Sequence, residues 1–214
     1  MAMTDVQICN LALANLGSSL RITALTDGSV QADQCSLHFE YLRDMVLEDF
    51  PWSFATRHEA LIEDTDATHP FYEYVHSFPA GCLTIRRIYT GDADDVVVPP
   101  LPTLPTIKAD YAIFNYYKAG TPVTNKKTIA TDIEDAWIEY TIQVTDPTFF
   151  SMGFVDALAW KLSVSLCKPI TGSSKDIPLL EAEYQKSLNR AQVHDANQGI
   201  EPLAKSTRYK DSRW

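Results

Sequence analysis

Apolar residues recur along this chain in two rhythms, and the switch between them divides it. From Ile8 to Phe50 the steps are helical. Thr4-Asp5-Val6-Gln7 reads as a capping box, with a hydroxyl at the cap and an amide three residues on. The helix it opens runs to about Leu16, where Gly17 suits a left-handed stop. Its apolar positions, Ile8, Cys9, Leu11, Ala12, Leu13, Ala14 and Leu16, nearly encircle it, so it should be buried on most sides or shared with a neighbouring subunit. A connector follows, with Ile22 and Leu25 expected to pack back. Asp27 or Ser29 can cap a second helix over 30–49. The stripe of that helix is Ala32, Cys35, Phe39, Leu42, Val46 and Phe50. Pro51 ends it, and Trp52 and Phe54 supply a large apolar anchor.

From Ala55 to about Val144 the period shortens to two. Residues 72–76, 83–89, 110–117, 127–130 and 136–144 read as strands. Between them 98–105 carries four prolines, Pro99, Pro100, Pro102 and Pro105, which exclude a central strand and suggest an extended arm. Helical spacing returns after Thr145-Asp146-Pro147, a capping side chain followed by proline at the first helical position. The third helix is expected over 147–167, with Phe150, Phe154, Leu158, Leu162 and Leu166 as its stripe and Lys168-Pro169 as its stop. Ser173 or Ser174 then caps a fourth helix to about Asn197, lined by Ile177, Leu180, Tyr184, Leu188 and Ala191. The expected fold is α+β, mainly an α-helical bundle of about four helices with a small antiparallel β insertion and an extended C-terminal arm. The expected division is 1–54 and 145–199 for the two halves of the bundle, 55–144 for the β-rich insertion, and 200–214 for the arm.

Composition changes the picture little. The 214 residues are 45% hydrophobic and 21% charged, ordinary for a globular chain. A formal net charge of -10 argues against a simple nucleic-acid binder and suits a surface that repels DNA phosphates. MAMTDVQ has neither the basic nor the apolar region of a signal peptide, and no apolar run is long enough to span a bilayer, so synthesis in the cytoplasm is expected. The cationic clusters are Arg86-Arg87, Lys126-Lys127 and the tail, where Lys205, Arg208, Tyr209, Lys210, Arg213 and Trp214 crowd into a short stretch. The first two lie in or beside strands, so their members should point to opposite faces. The tail has too few apolar residues to fold alone, and its aromatics suit an arm that orders on a partner.

The patterns of known chemistry are missing. The cysteines Cys9, Cys35, Cys82 and Cys167 stand alone, without metal spacing, and are expected to pack as small hydrophobes. The histidines share no metal spacing. There is no nucleophile elbow, P-loop or dinucleotide glycine pattern. Gly91-Asp92-Ala93-Asp94-Asp95 begins like a calcium loop, but the glycine and glutamate that such a loop needs are replaced by Val97 and Thr103. Asp64 and Asp66 can be imagined as paired carboxylates for sugar hydrolysis, but such a pair needs a cleft between its members, which the sequence does not give. No catalytic residue, cofactor or metal is expected.

The order of motifs resembles a phage family. Ile8-Cys9-Asn10-Leu11-Ala12-Leu13, Leu16-Gly17, Ala32-Asp33-Gln34-Cys35, Arg43-Asp44-Met45-Val46-Leu47 and Pro51-Trp52-Ser53-Phe54-Ala55 follow one another as in the tail tubular protein A family, the head-to-tail adaptors of short-tailed phages. Tyr140–Pro147, Phe154–Ala159 and Lys168–Thr171 continue the resemblance, which spans about residues 4 to 196. It implies a structural protein of the virion, not an enzyme: a homo-oligomeric ring, usually dodecameric, between the portal protein and the tail nozzle protein. Such a ring conducts double-stranded DNA without reading its sequence and without a membrane. The resemblance implies a C-terminal arm that packs on the portal, and Lys205, Arg208, Tyr209, Lys210, Arg213 and Trp214 are the candidate portal-binding residues. Trp52 and Phe54 are the candidate structural anchor. The alternative is a tail-associated polysaccharide-degrading hydrolase.

Overall fold

The structure, a computed structural model, describes residues 3–19, 21–90, 110–118 and 124–198. The proline-rich stretch 98–105, the acidic turn 91–95 and the tail 200–214 lie outside the described residues. Within them are four α-helices, six strands and one short 3-10 turn: α1 (Asp5–Asn15), α2 (Val30–Asp49), β1 (Thr56–Ala60), β2 (Tyr74–Ser77), β3 (Cys82–Thr90), β4 (Tyr111–Lys118), β5 (Thr124–Thr131), β6 (Ala136–Ile142), the turn Pro147–Phe149, α3 (Met152–Thr171) and α4 (Ile177–Gln198). Two compact units emerge, one of residues 1–42 and 150–214, the other of 43–149. Among the described residues no helix is long and apolar enough to cross a membrane.

A mainly helical bundle with a small insertion is not what forms. Among the described residues six strands accompany the four helices and build two three-stranded antiparallel sheets. The fold is α+β with a full β unit. The β content was under-read because some strands lack an apolar alternation. β1 is Thr-Arg-His-Glu-Ala, mostly exposed, and owes its conformation to its ladder with β6, Thr56 opposite Thr141 through Ala60 opposite Trp137.

In the first unit the local signals act as their chemistry requires. Thr4 and Gln7 complete the capping box of α1, the Thr4 amide donating to Gln7 Oε1 at 2.9 Å. Asn10 clamps the connector by pairing with both backbone groups of Ile22, each at 2.9 Å. Ser29 Oγ accepts from the amide of Ala32 at 3.2 Å, so serine is the cap of α2. Asp27 supports it, accepting from the Ser29 hydroxyl at 2.6 Å. Ile8, Cys9, Ala12 and Leu13 of α1 are fully buried, while Leu11 remains 40% exposed.

Two expectations for the third helix fail. Asp146-Pro147 opens the 3-10 turn, with Asp146 Oδ1 accepting from the Thr148 amide at 2.9 Å. The helix itself starts only after Ser151, whose hydroxyl accepts from the Phe154 amide. Nor does Pro169 stop it. The helix continues to Thr171, whose hydroxyl donates to the Cys167 carbonyl at 2.6 Å, and ends at Gly172 with φ +69°. Proline in a last turn removes only one hydrogen bond that fraying would weaken anyway.

α3 bears on both of its neighbours. Toward α1, the Ser163 hydroxyl lies 3.1 Å from the Ala12 carbonyl and accepts from the Asn15 amide at 3.3 Å. Toward α4, Gly153 allows the closest approach: a Cβ there would lie 2.9 Å from Ala191 Cβ. Lys161 sits over the Tyr184 ring at 4.6 Å.

In the second unit one sheet has the order β1-β6-β3 and the other β2-β5-β4. Ile88, Ile138 and Tyr140 of the first share a core with Ile129 of the second. β3 shifts register against β6 twice, between Cys82 and Thr84 and between Ile85 and Arg87. His76 on β2 is fully buried. Its Nε2 lies 3.1 Å from the Ile133 carbonyl, to which it donates, and its Nδ1 has no partner.

Two stability predictions follow from the first unit. Gly153→Val should cost about 1–3 kcal/mol by overpacking, read as a lower thermal midpoint, and Ala191→Gly in the same chain should recover part of it. Asp27 is held down to about 2 by its hydrogen bonds from the Ser29 hydroxyl, the Ser29 amide and the Thr23 amide. A lowered carboxylate contributes stability above its unfolded value near 3.8, and that stability disappears as pH falls toward 2. Urea midpoints of Asp27→Asn should therefore change less than wild type between pH 4.5 and about 2.

Candidate functional site

The anchor around Trp52 is built where α2 runs out of partners. A helix leaves its last carbonyls without intrahelical donors. Here the Trp52 indole donates to the Val46 carbonyl at 2.8 Å, with the ring fully buried. Arg86, reaching from β3, donates through Nη2 to the Glu48 carbonyl at 2.9 Å and the Leu47 carbonyl at 3.5 Å, and through Nε to Thr141 Oγ1 at 2.9 Å. A cation at a helix C-terminus also meets the negative end of the macrodipole. Burial lowers the Arg86 pKa, and the charges of Glu139, Glu48 and Asp49 oppose that shift. The Trp52 carbonyl in turn accepts from the amides of Ala55 and Thr56 and from the Thr56 hydroxyl at 2.8–3.0 Å, which starts β1. Phe50 meets the Trp52 ring edge-on at 5.2 Å, and the Phe54 ring lies 6.1 Å away. Trp52 thus ties the end of α2 to the start of β1, with the Phe54 ring beside it.

The cationic pairs within the described residues are occupied by structure. Arg86 serves α2, while Arg87 pairs with Glu139 across the β3–β6 ladder. Lys126 pairs with the nearly buried Asp64 at 3.3 Å, and Lys127 sits over the Phe78 ring at 3.9 Å. Asp64 and Asp66 belong to one turn: Asp64 Oδ1 accepts from the Asp66 amide at 3.3 Å, and the Asp66 carbonyl accepts from the Tyr116 hydroxyl at 2.7 Å. They do not face each other across a cleft. Burial raises Cys82 to about 11, and burial with the Glu59 carboxylate raises Tyr140 to about 12. Among the described residues no three His, Cys, Asp or Glu side chains group to hold a metal ion.

Spacing did not reveal one thiol pair. Cys9 and Cys35, from α1 and α2, are both fully buried and near enough to influence each other. The neighbouring Cys35 and burial push the Cys9 thiol up. Burial of Cys9, Cys35 and Cys167 agrees with packing as small hydrophobes, Cys82 being only partly buried, and Cys9 and Cys35 add a contact to it. Both members lay on apolar stripes, which was the only available signal.

Clefts among the described residues include one in each unit. One, of about 240 Å³, lies between α3 and α4 beside Gly153, where Ser187 donates to Asp156, with Arg190 and His194 at its rim. The other, of about 230 Å³, lies beside Glu59–Ile62 and Ser77–Ala80. The candidate arm residues Lys205, Arg208, Tyr209, Lys210, Arg213 and Trp214 lie outside the described residues. Neither a protein-family model nor a curated protein matches the chain.

Replacing Trp52 by alanine should cost about 3–5 kcal/mol, and Trp52→Phe about 1 kcal/mol for the lost indole bond. Equilibrium denaturation followed by circular dichroism measures both.

Proposed function

We propose that the chain is a structural head-to-tail adaptor of a phage virion, joining a portal to a tail nozzle as one subunit of a homo-oligomeric ring. The observation that carries this reading is the apolar surface left outside on the helices. Leu11 of α1, Leu37 and Tyr41 of α2, and Leu179 and Val193 of α4 are 40–68% exposed. Single exposed apolar residues are ordinary. Rows of them on several helices of one unit are what contacts between subunits require. The ordered motifs between residues 4 and 196 support the same reading.

The work of such a protein is assembly. Each contact forms when the right neighbour arrives, and no covalent step is needed. A net charge of -10 disfavours adhesion of DNA phosphates to the ring and lets DNA pass without being read. The tail supplies charge of the opposite sign together with two aromatic rings, a composition suited to ordering on a portal surface. The protein is made in the host cytoplasm and ends at the head–tail interface.

Deleting Ser206–Trp214 should leave a folded protein that no longer binds portals. Circular dichroism reports the first outcome, and co-sedimentation with purified portal the second. Undiminished portal binding would remove the arm from the mechanism.

A further inference from the structure

Helix α2 carries a second apolar seam, opposite its buried one. Val30, the half-buried Gln34, Leu37 and Tyr41 follow one another at three- and four-residue steps, and Val30, Leu37 and Tyr41 are 63%, 68% and 57% exposed. Such steps are those of an interhelical seam. The exposed carboxylates Asp33 and Glu40 flank it on one side. Helix α4 carries a matching outer seam: Leu179, Ala182, Lys186, Asn189, Val193 and Ala196, again at three- and four-residue steps and all exposed. Leu179 and Val193 are 65% and 63% exposed. Lys186 puts a cation within this seam, and Arg190 stands beside it together with Glu183. Lys186 also reaches Glu183 on its own helix at 3.3 Å, an exposed pair of the kind that contributes little.

We propose that the outer seam of α2 on one copy packs against the outer seam of α4 on a second copy. Charge selects this pairing. Two α2 seams laid together would bring Asp33 and Glu40 against their own kind, and two α4 seams would do the same with Lys186 and Arg190. The α2–α4 pairing sets acid against base and aliphatic against aliphatic. Because the two faces differ, the contact is heterologous: each pair keeps one free face of each kind, so the contact propagates and closes into a ring when the rotation allows. The inference deepens the ring reading of the previous subsection by naming its faces, and it rests on that reading only for closure. It requires neither portal nor DNA.

The test uses the full chain with Leu37→Asp or Val193→Asp, both at exposed positions. At millimolar concentration, sedimentation velocity should show wild type associating and each variant monomeric. An equimolar mixture of the two should give a heterodimer, because each supplies the intact face that the other lacks. Should a variant fail by circular dichroism, charge reversal replaces it. Glu40→Lys and Lys186→Glu should each weaken association, and the chain carrying both should recover it. A Val193→Asp variant that dimerises alone would mean α2 pairs with itself, and that overturns the proposal. Variants that associate like wild type also overturn it, leaving the ring to other faces. A wild type that stays monomeric at that concentration overturns it as well; portal co-sedimentation, which needs no self-association, then judges the adaptor reading separately.

Discussion

A helix that ends beside a sheet must find donors for its last carbonyls, and the second unit is arranged around how α2 does so. Two side chains from different places supply them. Trp52 folds back from just beyond the helix to reach Val46, and Arg86 arrives from β3 to reach Leu47 and Glu48. The same arginine binds Thr141 on β6, so one guanidinium ties helix, edge strand and central strand together. With the tryptophan carbonyl taken by the first residues of β1, this corner fixes where one sheet begins and what lies against it. A lysine could replace the charge of Arg86 but not its planar fork, which serves three acceptors at once.

How much of this was legible depended on how local the cause was. The capping box at Thr4, the serine before Val30 and the proline after Phe50 act on neighbours within a few residues, and the boundaries of α1 and α2 followed from them. β1 has no such cause. Thr-Arg-His-Glu-Ala contains no pattern that demands a strand, and only the ladder with β6 makes it one. The Asp146-Pro147 signal was real but ambiguous, since a 3-10 turn uses the same chemistry as a helix start. Pro169 was over-read because a proline one turn from a helix end has little left to break.

The surfaces were harder to read than the core. A helix of twenty residues can carry two apolar rows at the same spacing, and spacing alone does not say which one is buried. On α2 the row through Phe39 and Leu42 drew the reading inward, while Leu37 and Tyr41, on the opposite side, were left unassigned. The Cys9–Cys35 contact was hidden for a related reason: it depends on how two helices approach, which no count of intervening residues reveals. Arg86 and Arg87 read as strand neighbours facing opposite ways, which left their partners unnamed. Each turned out to have a separate carbonyl or carboxylate to satisfy.

The two register shifts in β3 bear on a different matter, which is solubility. β3 and β1 are the outer strands of their sheet, and outer strands offer ready-made pairing groups to any other chain. Bulges spoil the regular spacing on which such pairing depends, and the exposed Arg57, His58 and Glu59 make β1 a poor template as well. Outer strands that are irregular or charged are not readily extended by another chain. The irregular β3 leaves association to side chains that can be matched by shape and charge, and withholds it from backbone groups that would accept any extended partner.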